Sequence, residues 1–173
     1  INEVECLNGL ADAINVTDGA GAKSHMSALA TAAILAQNGI EPILQFTTRD
    51  RNRIAIQGDL LGGWALDIPN ILCLYGDEVK GGDQPDTKEV RDLDTIGILR
   101  TAHEIKTKKM YPSGRKINDA PEFFIGGADT PFKINNDFDG FNLVKKIEAG
   151  VEFFQTQYVF EKDILKYLSL IHI

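Results

Sequence analysis

Asp77 stands directly after Gly76 at the end of the unbroken apolar run Ile71-Leu72-Cys73-Leu74-Tyr75. A carboxylate there is either a turn or capping aspartate, or a group set at the mouth of a site where partial burial tunes its charge. Gln155 and Gln157 fall on the same side of a strand by its period of two. An amide turned into a protein interior costs free energy unless it is hydrogen-bonded, so a partner or a ligand is implied. Asp139, Asn142, Lys145 and Lys146 share a helix with Phe138, Phe141 and Val144. Steps of three and four set Asp139, Asn142 and Lys146 along one side, with Lys145 beside them. That side is either a solvated face or a surface that hydrogen-bonds a phosphate or a ribose.

Other constellations fail on spacing. Gly19-Ala20-Gly21-Ala22-Lys23-Ser24 has the glycines of an anion-binding turn. A Walker loop needs Gly directly before the Lys, where Ala22 stands, and the third glycine of a dinucleotide fingerprint is absent. ATP or GTP hydrolysis is therefore excluded, and the turn either touches some polar ligand or is plain. His25, His103 and His172 lack metal-ligand spacing, and Cys6 and Cys73 form neither a disulfide framework nor a metal pair. No metal site is expected, no Ser/His/Asp set assembles, and Trp64 and Cys73 read as packing residues.

The elements that must carry these groups alternate between strand and helix. Strands are expected over 13–17, 42–47, 71–75, 122–125 (ended by Gly126-Gly127) and 152–158. Helical composition begins at Ser24 and closes at Asn38-Gly39. Further helices are expected over 51–66 and 138–149, with one more from 160. Val90, Leu93, Ile96, Leu99, Ala102 and His103 trace one helical face, while 78–88 and 110–120 read as loops. Such alternation pairs strands in parallel through right-handed crossovers, in a doubly wound open sheet or in a (β/α) barrel. Both place ligands at the carboxyl ends of strands, here 17–20, 45–48, 75–77, 126–128 and Gln157.

The chain has 173 residues, 43% hydrophobic and 25% charged, with a net charge of −7. That composition is globular rather than disordered. No apolar run approaches the roughly 18 residues of a membrane span. An acidic balance argues against nucleic acid as a partner, and the cysteine usage fits a cytoplasmic protein.

In this order and spacing, four segments carry a resemblance: Val16-Thr17-Asp18-Gly19-Ala20, Gln45-Phe46-Thr47-Thr48-Arg49-Asp50, Asn70-Ile71-Leu72-Cys73-Leu74-Tyr75-Gly76-Asp77, and Lys145-Lys146-Ile147-Glu148-Ala149-Gly150 running on to Gln155-Thr156-Gln157-Tyr158-Val159-Phe160. The sequence resembles the flavin-dependent methylenetetrahydrofolate reductases, α/β proteins built as (β/α)8 TIM barrels. The resemblance implies FAD-dependent reduction of 5,10-methylenetetrahydrofolate to 5-methyltetrahydrofolate with NADH or NADPH, in one-carbon and methionine metabolism. It implies that Asp77 lies beside flavin and folate, its charge modulating the one and assisting the reactive cation of the other. Gln157 would bind the pterin of the folate. Thr17, Asp18 and Ala20 would meet FAD. Gln45 stands where many members have His, and Tyr75 replaces a frequent Arg before Gly76-Asp77. Asp139, Asn142, Lys145 and Lys146 match the helix that holds the ribityl, phosphate and adenosine parts. Asp92, Gly126 and Thr130 would be further cofactor contacts, carried over across gaps.

The family's general acid, a glutamate on the first barrel strand, has no counterpart in this sequence. The resemblance thus implies an incomplete TIM barrel, about strands 2 to 6. Residues 1–167 would be a partial FAD-binding reductase domain, and Leu168-Ser169-Leu170-Ile171-His172-Ile173 a non-native tail. Alone, such a piece would be inactive, and the full-length protein would be a homo-oligomer. The alternatives are a non-catalytic flavin-binding barrel piece and another flavin or folate barrel enzyme.

Overall fold

The computed structural model describes residues 2–7, 9–130 and 141–171. After a short α1 (Asn2–Glu5), strands and helices alternate: β1 (Ile14–Val16), α2 (Ala28–Gln37), β2 (Pro42–Thr47), α3 (Arg53–Ala65), β3 (Asn70–Leu74), α4 (Thr95–Lys108), β4 (Phe124–Asp129), α5 (Phe141–Glu148), β5 (Phe153–Thr156) and α6 (Lys162–Ile171). Every strand pair is parallel, and the sheet runs β1-β2-β3-β4-β5 without reversal. A doubly wound sheet reverses strand order at its switch point. The unreversed order and the curl of the sheet are those of a half-barrel.

Register separates the two faces. Val16, Leu44, Ile71 and Ile125 align across β1 to β4, with Phe46 and Cys73 two residues further on. All six are buried, in one cluster with Ala32 of α2, Ile56 and Leu60 of α3, and Ile98, Leu99 and Ile105 of α4. Each Val, Leu, Ile or Phe side chain among them contributes about 1.5–3 kcal/mol when fully buried, so this face holds the sheet to its helices. Cys73 belongs to that packing, and burial pushes its thiol up to about 12. The alternate rows, Asn15–Ile43–Asn70–Phe124 and Gln45–Leu72–Gly126–Phe153, occupy the opposite, concave face. Phe124 and Phe153 stack there with ring centroids 4.8 Å apart.

Four expectations are corrected. Helix α2 starts at Ala28, not Ser24, because Gly19, Gly21 and Ala22 all take positive φ (60°, 65° and 53°) and hold the chain in a 3-10 turn. Helix α4 starts at Thr95 because the Asp94 carboxylate accepts the Gly97 N–H at 2.7 Å. Val90 and Leu93 therefore precede the helix, and Val90 and Arg91 donate their N–H groups to Arg49 O and Thr48 O. Gly126 and Gly127 lie inside β4 rather than ending it. A side chain at Gly126 would run into the Phe153 ring, and a Cβ at Gly127 would stand 3.1 Å from Val151 Cγ2. Finally, β5 ends at Thr156, so Gln157 stands just past the strand, its N–H on Asp129 O at 3.2 Å.

Candidate active site

The first three strand exits are fastened to one another by arginines. Asp18, at the β1 exit, is 9% exposed. Its carboxylate accepts Arg51 Nη1 at 2.6 Å and Nη2 at 3.2 Å, with Thr47 N–H and Thr47 Oγ1 both at 2.9 Å. Its own N–H donates to Gln45 Oε1 at 3.3 Å. Asp18 is thus a tie between β1 and β2, with its acceptors taken by protein groups. Arg49, also buried, forks onto Asp50 (2.9 and 2.7 Å) and donates to Gly19 O at 3.1 Å and Asp77 O at 3.5 Å.

Asp77 is the exposed counterpart of Asp18. Gly76 turns the chain with φ +86°, and Asp77 Oδ2 then accepts the Gly21 N–H at 2.7 Å. Asp83 takes the Ser24 N–H at 3.2 and 3.3 Å. The glycine turn after β1 therefore spends two N–H groups on carboxylates of the segment after β3. The residues before α4 close the arrangement. Arg91 reaches the carbonyls of Tyr75 and Gly76, lies 3.8 Å from the centroid of the half-exposed Tyr75 ring, and pairs with Glu89.

The other expected residues are spread around these exits. Thr17 and Ala20 are exposed at the β1 exit, and Thr130 is exposed just past β4. Gln45 is buried on the concave face, its carbonyl engaged by Asp18, and Gly126 lies in the same row. Asn142 and Lys145 are exposed on α5. Lys146 instead turns to the end of β4, donating to Ala128 O at 2.5 Å with Asp129 Oδ1 3.7 Å away. Asp92 caps α3: Arg53 N–H, Nε and Nη2 all donate to it, and the Arg53 guanidinium holds its carboxyl well below the usual carboxylate range. Gln157 is exposed beyond β5, and Asp139 lies outside the described residues. Sequence reasoning overlooked Arg49, Arg51, Asp83 and Arg91. The visible signal for the first two was the charge cluster Arg49-Asp50-Arg51 at a strand exit. It also overlooked Asn15, whose Oδ1 is buried without a partner among the described residues.

Among the described residues no three His, Cys, Asp or Glu side chains converge as metal ligands, and no helix is long and apolar enough to cross a membrane. Away from these exits, one cavity of about 720 Å³ lies beside Trp64, Pro69 and Ile117 and another of about 540 Å³ between α3 and Tyr111 to Arg115.

Glu89 gives the arrangement a pH signature. The Arg91 guanidinium, helped by the Val79 N–H, lowers its carboxyl from 4.5 to about 2. A depressed pKa in the folded state stabilises that state fully above the ordinary value, and the gain fades as pH falls through the folded one. The stability difference between wild type and Glu89→Gln, measured by urea unfolding, should be constant from neutral pH to about 5. It should shrink between 4.5 and 2. A difference unchanged across that window would show that the Glu89 charge does not hold Arg91.

Helices packed on one face of a curled parallel sheet, with polar groups gathered at its strand exits, define the class of protein: an α/β half-barrel. The family model described as methylenetetrahydrofolate reductase matches residues 2–171. The chain belongs to the methylenetetrahydrofolate reductase family. Membership marks an oxidoreductase acting on methylenetetrahydrofolate in one-carbon metabolism. No curated protein matches the sequence.

Proposed function

We propose that the strand exits of this chain form the FAD- and folate-binding surface of a methylenetetrahydrofolate reductase that takes its electrons from NADH or NADPH. The reading rests on one observation above the others. Asp77 is held out at the β3 exit by the Gly21 N–H, while the equivalent carboxylate at β1, Asp18, is buried under Arg51. That leaves a negative charge free to act on a ligand over the concave face.

The residues present fit a flavin. The concave face has an apolar floor in Leu72 and the Phe124–Phe153 stack, with the Phe153 ring lying over Gly126. Polar groups border it: the Gln45 amide, the unpartnered Asn15 Oδ1 and the exposed Thr17. Asn142 and Lys145 on α5 suit the ribityl and diphosphate parts, with Lys146 fixing that helix to β4. When bound, the flavin supplies the hydride-transfer chemistry. The protein's share is to orient and to tune. Asp77 disfavours added negative charge beside it and favours a cationic folate. Gln157 offers an amide donor and acceptor to a pterin edge. The fold reading is that β1 to β5 are five strands of a (β/α)8 barrel, acting in the cytoplasm as part of a homo-oligomer.

The test is titration of the purified protein with FAD, followed by flavin fluorescence and the visible bands. The expected result is saturable binding with shifted bands. An unperturbed flavin spectrum would overturn the reading. The sharper form compares wild type with Asp77→Asn. A unit charge acting across such a site is worth about 1–2 kcal/mol, so the midpoint potential should rise by about 20–40 mV in a two-electron couple.

A further inference from the structure

We propose that Arg91 is the positioning residue for the Asp77 carboxylate, its planar guanidinium gripping the backbone of the turn that carries Asp77. Nη1 donates to Tyr75 O at 2.9 Å and Gly76 O at 3.5 Å, and Nη2 to Gly76 O and Asp77 O, each at 3.4 Å. Three consecutive carbonyls are thus held by one side chain, from a segment 14 to 16 residues further along the chain. A fork of donors in fixed geometry does this, whereas an ammonium presents one point charge. The Tyr75 ring closes one face of the guanidinium at 3.8 Å. Glu89 holds the remaining edge and also accepts the Val79 N–H at 3.0 Å, tying the grip to the start of the loop after Asp77.

The backbone of Arg91 supports this assignment. Its φ is +42°, a left-handed conformation that side-chain-bearing residues rarely adopt. Such conformations persist only where the surroundings over-determine them. Here the Val90 and Arg91 N–H groups are pinned to Arg49 O at 2.7 Å and Thr48 O at 3.2 Å. The strained residue is therefore anchored to the β2 exit while its side chain, 12% exposed, spans to the β3 exit. Arg49 also reaches Asp77 O, at 3.5 Å. With the turn fixed at its carbonyls, the Asp77 side chain meets the Gly21 N–H as its one hydrogen-bond donor among the described residues.

The functional half of the proposal rests on the reading of Asp77 beside a flavin, so the test has two separate arms. In the protein without added flavin, amide hydrogen exchange is read at Gly21, the donor to Asp77. Arg91→Met should accelerate Gly21 exchange about tenfold or more, with Arg91→Lys intermediate, while core amides such as Leu72 and Ile98 stay protected. Unchanged exchange at Gly21, or equal acceleration in the core, would overturn the positioning role whether or not flavin binds. In the flavin-loaded protein, the shift in midpoint potential caused by Asp77→Asn is measured twice, in the wild-type and in the Arg91→Met background. The shift should fall to less than half in the Arg91→Met background. An undiminished shift would overturn the link from Arg91 to Asp77, and failure to bind flavin would count against the cofactor reading alone.

Discussion

Replacing Arg51 with alanine is expected to destabilise the protein by about 3 kcal/mol, the largest loss for any single side chain at the strand exits. Arg51 supplies two of the four hydrogen bonds received by a carboxylate that is only 9% exposed. Without it, Asp18 would remain buried with Thr47 donors and only the more distant Arg49 as countercharge. Removing one partner of a buried ion pair costs about 3–5 kcal/mol, chiefly because the other charge is stranded. Two features place the loss at the lower end: the Arg51 side chain keeps 18% exposure, and both Thr47 donors survive. The second ion pair of Arg51, with Asp59 at 2.8 Å, is 35% exposed on its acidic side and adds little. Urea unfolding of Arg51→Ala, Asp18→Ala and the double variant reads the coupling. The double variant should lose less than the sum of the singles by about 1–3 kcal/mol. A loss under about 1 kcal/mol in Arg51→Ala would contradict the view that this pair ties β1 to β2.

Gly76→Ala should cost about 2–3 kcal/mol, from two separable causes. The first is conformational: at φ +86° an alanine is strained by about 1–2 kcal/mol. The second is crowding, since a Cβ would stand 3.0 Å from Thr47 Cβ and 3.2 Å from Arg49 Cβ. Both lie close to the backbone and cannot swing aside as a side-chain tip can. Gly114 provides the control, having φ +85° with nothing within 4 Å of its added Cβ. Gly114→Ala should show the conformational cost alone, so the difference between the two variants measures the crowding. Equal losses would show that the packing of the Asp77 turn on β2 is loose. Gly76→Ala should also free the Gly21 amide, whereas Gly114→Ala should leave it unchanged.

How far these features were legible depended on whether their causes were local. Strands β2 and β3 were readable within a residue because both are short apolar runs of the kind that parallel sheets bury on both sides. The parallel sheet followed from alternation alone. Helix starts were less legible. The run from Ser24 has helical composition, yet three positive-φ residues before it and the Asp83 contact to Ser24 keep it out of the helix until Ala28. Gly126 and Gly127 looked like strand stops, and only distant side chains, the Phe153 ring over Gly126 and Val151 against Gly127, explain them as strand interior. Asp18 and Asp77 looked alike as aspartates at strand exits. An arginine 33 residues from Asp18 separates their roles, and no local pattern announces it. Arg91 was invisible for the same reason, compounded by a backbone conformation that its residue type does not suggest.

The most decisive measurement is the midpoint potential of flavin bound to the wild-type protein and to Asp77→Asn. Flavin bound to wild type should be harder to reduce, with the variant more positive by about 20–40 mV. A protein that binds no flavin, or a bound flavin whose potential is the same with and without the Asp77 charge, would contradict the assignment of these strand exits to flavin-dependent folate reduction.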